Sequence, residues 1–204
     1  MFQILRSSWL MIPLGICSIM ALAIIFERFI SLRVIEAGAN RFVSRTREIL
    51  KGAEPRKVDK ILALCEMTSS PPARVLEAGI RKKDLGRDEV REAIQDAGSL
   101  EIPHLERYLR ILGTVVTITP LLGLLGTVVG MIRVFNVIAI QGVGDPGALA
   151  GGIREALYTT AVGLCIAIPS LVFYNYFRHR TDRLIRKVEA LASDFMDLLG
   201  GRET

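Results

Sequence analysis

Six residues near the end of the chain have the types and spacing to act together. Ala156, Thr160, Gly163, Ala167, Ser170 and Tyr174 recur at intervals of four and three, which sets them on one face of a helix. Inside an apolar run, such a face offers hydroxyls to water or to a proton-carrying side chain of another chain. The same spacing of small residues also makes a seam on which two membrane helices pack closely. Spacing alone leaves both readings open. Thr127 supplies a second hydroxyl in another apolar run. Both Thr127 and Thr160 could bond back to a carbonyl four residues earlier in their own helix, so the hydroxyls do not decide the matter. Glu155 enters the third run directly after Arg154. It reads either as an acid favoured by the dipole of a helix N-terminus or as a charge at the external mouth of a cation path.

Other chemistry is missing. No Ser/His/Asp arrangement, phosphate-cradling glycine loop or metal-ligand spacing occurs, and neither an enzyme nor a cofactor is expected. His104 and His179 stand apart from each other and outside the apolar runs. Cys17 and Cys165 lie within apolar runs and Cys65 in a helical stretch, a pattern of packing cysteines without a disulfide or metal framework. The formal net charge of +5 does not point to nucleic acid, because the basic residues form no patch interleaved with aromatics. No Asp, Glu or Lys sits in the middle of an apolar run, where it would mark a proton relay. A carboxylate that titrates in the membrane must therefore come from another chain.

The elements that position these residues follow from segregation of apolar sequence. Half of the 204 residues are hydrophobic, the mean hydropathy is +0.39, and the apolar residues are gathered into three runs. Trp9 to Phe26 is uncharged, Ile111 to Ile132 is uncharged over 22 residues, and so is Ala156 to Phe177. At ~1.5 Å per residue, 22 residues cross a hydrocarbon core of ~30 Å. The first run is read as a retained membrane helix and not a signal peptide. No small-residue cleavage pattern follows it, and amphipathic sequence continues without a break. Trp9 suits a membrane interface. In the second run Gly123, Gly126 and Gly130 share a face with Thr119, with Thr127 ~40° away, and Pro120 opens the hydrogen-bond ladder. That much glycine costs roughly 1 kcal/mol per residue in a soluble helix, but lets backbones approach in a membrane.

The polar segment reads as helical throughout. Ile35, Phe42, Ile49 and Leu50 are its first apolar contacts, and Gly52 and Pro55 mark a turn with Pro55 at a helix start. A short helix over Val58–Met67 ends at the breaker cluster Ser69 to Pro72, another covers Arg74–Lys83, and a long one begins at Asp88. Gln141 to Gly147 is a turn, and the tail carries a stripe of Leu184, Val188, Leu191, Phe195 and Leu198 that lies against a neighbour. Of 26 Lys and Arg, 17 lie between Arg28 and Arg110 and six from Arg178 onward. Basic flanks face the cytoplasm, which places the N-terminus outside and the C-terminus inside. The expected fold class is an all-α membrane protein of three transmembrane helices extended into the cytoplasm, with a helical cytoplasmic segment. The expected divisions are an external tail 1–8, the first membrane helix with its cytoplasmic continuation 9–32, a cytoplasmic helical segment 33–109, the second membrane helix 110–140, a short periplasmic loop 141–152, the third membrane helix 153–177, and a cytoplasmic helix 178–204.

Two stretches carry a resemblance. TPLLGLLGTVVGMI (Thr119 to Ile132) followed by Phe135, and GGIREALYTTAVGLCIAIPSLVFYNYF (Gly151 to Phe177), resemble the paired membrane helices of the MotA/TolQ/ExbB proton-channel family. PARVLEAGI (Pro72 to Ile80) is similar to the cytoplasmic segment of ExbB-type members. Three spans agree with ExbB and TolQ, and not with the four-span MotA. The resemblance implies a bacterial inner-membrane homo-oligomer of five copies around the helices of an ExbD- or TolR-type partner. That partner's membrane Asp would carry protons, and TonB- or TolA-type transducers would be energised. It places Thr127, Thr160 and Glu155 along the pore and proton pathway, Glu155 matching an acidic residue of the family motif, and finds Arg133 where the family varies. Gly123, Gly126, Gly130, Pro120, Ala156, Gly163, Ala167 and Ser170 are expected as packing residues.

Overall fold

The structure is a computed structural model that describes residues 9–52, 56–142 and 146–199. Every regular element among them is a helix: α1 (Met11–Lys51), α2 (Lys57–Glu66), α3 (Pro71–Arg81), α4 (Arg87–Gln141) and α5 (Pro146–Leu199). The helices α1, α4 and α5 are long and apolar enough to cross a membrane. The chain is thus an all-α protein of three transmembrane helices whose long helices continue beyond the spans. The external tail with Arg6, the helix start at Pro55 and part of the 141–147 turn lie outside the described residues.

Two boundaries differ from expectation. Ser69 to Pro72 is less a stop than a start: Pro71 and Pro72 are the first residues of α3. Proline fits there because its missing N–H belongs to the first turn, whose donors have no helical partner in any case. The interval 141–152 is helical from Pro146, so Gly147, Gly151 and Gly152 lie inside α5. Where a loop was expected the chain keeps a helix, with open space beside Gly151 and Val134 close against Gly152.

The described residues divide into two compact units, one within 1–27 and 108–176 and the other within 28–107 and 177–204. In the first, many large apolar side chains point outward, although Leu14, Leu112 and Val115 are buried. Ile12, Ile19 and Phe26 of α1, Leu121, Leu124 and Val128 of α4, and Leu157, Ile168 and Val172 of α5 are all exposed. Small and polar residues go inside, with Ala21, Thr119, Ala156, Thr159, Ala167 and Ser170 buried. That distribution suits hydrocarbon as the surrounding medium.

The second unit is built in the opposite sense. Phe42, Ile61, Leu76, Ile80, Val90, Leu191 and Phe195 form its buried core, with Ile49, Leu50, Val188 and Leu198 packed on it. A smaller cluster joins Ala39, Leu105 and Leu184 to Ile35. Every apolar position expected on α1 and on the α5 stripe therefore meets a core. At Gly79 a Cβ would stand 2.6 Å from Ile94 Cγ1, so glycine lets α3 settle onto α4. Polar clamps tie the rim. Arg74 grips Glu101 through Nε at 2.6 Å and Nη2 at 2.5 Å, and Arg47 meets Asp194 at 3.3 Å. Arg28 is buried and donates from Nη1 to the Leu105 carbonyl at 3.1 Å.

Candidate functional site: the seam between α4 and α5

Within the first unit, α4 and α5 meet along their small residues. A Cβ on Gly130 would lie 2.5 Å from the Ala156 Cβ, and one on Gly123 would lie 3.1 Å from the Thr160 Cα. At Gly163 it would stand 2.9 Å from the Thr119 carbonyl oxygen, and at Gly126 it would fall on the Thr159 side chain. None of these positions has space for a methyl, so glycine is what allows the two backbones to approach. Tyr174 closes the line with its ring over Gly113. Pro120 lies in α4 beside this contact and is half-buried. Its missing N–H leaves the Val116 carbonyl without its helical donor.

The hydroxyls are arranged differently from the expected back-bonding. Thr160 Oγ1 donates across the seam to the Gly123 carbonyl at 2.8 Å, because α4 comes closer than its own preceding turn. Thr127 Oγ1 bonds within its helix, but to Leu124 three residues back, at 2.7 Å. Ser170 and Thr119 return to carbonyls four residues earlier, at 2.7 Å and 2.5 Å. The six-residue face of α5 is therefore turned toward α4 of the same chain, with Thr160 half-buried at its border.

Thr159 was not singled out from the sequence. It is buried, occupies the notch left by Gly126, and donates to the Ala156 carbonyl at 2.7 Å. Its signal was present. Ala156, Thr159, Gly163 and Ser170 repeat at three, four and seven, as regular a line as the one through Thr160. Only the packed register separates the two.

Glu155 lies nine residues after the start of α5 at Pro146, beyond the first turn in which a helix dipole acts. The dipole reading of this residue is corrected accordingly. Its carboxylate instead meets Arg133 of α4 at 3.9 Å. Glu155 stands ~140° round α5 from Thr160, and Arg133 ~120° round α4 from Thr127. The contacts fix the sense of rotation. From Thr159 to Thr160 on α5, the facing residue on α4 moves from Gly126 to Gly123, and Thr127 follows in the same direction. Thr127 and Thr160 thus border the seam on one flank, Arg133 and Glu155 on the other.

Chemically, the seam offers hydroxyls and carbonyls and no Asp, Glu, His, Lys or Arg between Ile111 and Ile132 or between Ala156 and Ser170. Among the described residues no cluster of His, Cys, Asp or Glu could hold a metal ion. In the second unit, burial and then the neighbouring Glu77 and Glu66 push the Cys65 thiol up to about 12.

The profile of the MotA/TolQ/ExbB proton channel family matches residues 67–190, which include α3, the whole uncharged run of α4 and the α5 span. The chain belongs to this family. Among its relatives, the ExbB-like 3 protein of Synechocystis sp. is 32% identical over 82% of this chain and 79% of its own. The biopolymer transport protein exbB1 of Vibrio cholerae is 32% identical over 87% and 78%. The Tol-Pal system protein TolQ of Pseudomonas aeruginosa is 28% identical over 93% and 85%. The chain is similar to each, and the ExbB homologues make it an ExbB-type member. Its place is that of a multi-pass inner-membrane protein in a family of channel subunits and not of enzymes.

Proposed function

We propose that this chain is the proton-channel subunit of an inner-membrane complex that uses the proton motive force to energise TonB-dependent transport across an outer membrane. Five copies surround the membrane helices of an ExbD- or TolR-type partner, with the N-terminus periplasmic and the C-terminus cytoplasmic. The observation that carries the reading is the flank of the seam bearing Thr127 and Thr160. It is hydroxyl-bearing and uncharged, and it belongs to the stretch that the family profile covers. An apolar wall makes it costly to ionise a carboxylate, by a few kcal/mol. The partner's Asp stays neutral while shielded there and charges where water reaches it, which couples proton flow to movement of the partner. In this reading the small residues from Gly123 to Gly130 and from Ala156 to Ser170 hold the wall in shape.

Proton uptake into liposomes that hold the chain with its partner is the test. Thr160→Val is expected to lower uptake severalfold while the complex still co-purifies. Unchanged uptake removes Thr160 from the path. Two observations favour other readings. The TolQ relative spans more of this chain than the ExbB relatives named above, which suits a role in envelope maintenance with a TolA-type transducer. The Thr160 hydroxyl is committed to Gly123, as a packing scaffold requires. Co-purified partners separate the first alternative, and liposomes without uptake identify the second.

A further inference from the structure

We infer that Arg133 is a positioning residue for Glu155, and that the pair clasps α4 to α5 at the hairpin end of the seam. The inference rests on the proton-channel reading for its consequence and on the geometry of one chain for its existence. Arg133 Nη1 and Glu155 Oε1 lie 3.9 Å apart, with the two side chains 51% and 28% exposed. Close backbone contacts stand beside them. Gly130 faces Ala156, and a Cβ on Gly152 would lie 2.5 Å from Val134 Cγ2. Low-polarity surroundings on that side strengthen an ion pair relative to one fully in water.

The other groups at this end are few. Among the described residues of this unit, α5 adds the exposed Arg154 and the phenol of Tyr158, and α4 carries no further charge between Ile111 and Gln141. From Trp9 to Phe26, α1 brings no charge either. Arg133 thus draws Glu155 toward α4 on the flank away from Thr127 and Thr160. The carboxylate acts by fixing the end of the seam and not by lining the hydroxyl-bearing wall. Bringing the ends together in this way keeps the four glycines of the seam in register with the residues they face.

A double-mutant cycle tests the clasp, with chain and partner in liposomes and co-purification as the check on assembly. R133Q and E155Q are each expected to reduce proton uptake about fivefold, and the double variant R133Q/E155Q no further than either. R133K retains uptake, and the charge-swapped R133E/E155R recovers it to within about twofold. R133Q conducting like the parent chain overturns the inference. So does loss of uptake in every variant lacking Glu155, the swap included, because the carboxylate is then needed in its own right. If R133Q does not assemble, the swap decides. The same cycle, read as thermal stability of the solubilised chain, gives the clasp without reference to conduction. Coupling between positions 133 and 155 is expected, and independent effects refute it. A parent complex that takes up no protons counts against the channel reading while leaving the stability cycle to judge the clasp.

Discussion

Thr160 holds two obligations at one oxygen. As donor it is committed to the Gly123 carbonyl, but its lone pairs remain to accept from water or from a protonated carboxyl. Thr160→Ser is therefore expected to retain proton uptake, whereas Thr160→Val is expected to lose it; equal loss in both shows that the hydroxyl alone does not suffice. Gly126 is tested by addition. Alanine there sets a methyl onto Thr159, and overpacking of this kind costs about 1–3 kcal/mol, read as a lower melting temperature of the solubilised chain. Pairing it with Thr159→Ala is expected to recover most of that loss. Cys65 gives a pH prediction. Its thiol is raised from 9.0 to about 12 in the fold, so the unfolded chain releases the proton first. Stability contributed by the neutral thiol is intact below pH 9 and declines as pH climbs toward 12. Alkylation of Cys65 at pH 8 is expected to be slow until the chain is denatured; rapid labelling of the folded protein contradicts its burial.

Among the elements, legibility depended on whether the deciding contact was local. The apolar positions of α1 and the α5 stripe were readable because one periodicity decides which face is buried. The start of α3 was misplaced because proline both stops one helix and opens the next, and its flanking residues do not say which. Gly147 belongs to the turn signal and Gly151 and Gly152 to the expected loop, but Gly152 serves close contact with Val134 inside a helix. The partner of Thr160 was unreadable for a different reason. A hydrogen bond between helices depends on a register that neither helix encodes alone. In the second unit α3 rests on α4 through Ile80, Leu76, Val90 and Ile94, with Arg74 and Glu101 at the rim. Ile80→Ala is expected to cost about 2–5 kcal/mol and Arg74→Ala about 1 kcal/mol or less, because the Arg74 side chain is half exposed. Denaturant titration ranks the two, and a larger loss at Arg74 contradicts a core-dominated contact.

At the scale of the molecule, the charge distribution gives an orientation that labelling can check. A cysteine placed at Gly142, in a background where Cys17, Cys65 and Cys165 are replaced, is expected to react with an impermeant maleimide in intact spheroplasts. One at Ser193 is expected to react only after lysis. The reverse pattern inverts the topology. The opposite placement of greasy side chains in the two units has a further effect on how the chain comes apart. Urea acts chiefly where burial from water holds a structure together, which describes the unit around Phe42 and Phe195. The unit that presents many of its leucines and isoleucines outward is instead confined by whatever solvates them, lipid or detergent. A chaotrope series and a detergent series thus probe different halves of one polypeptide.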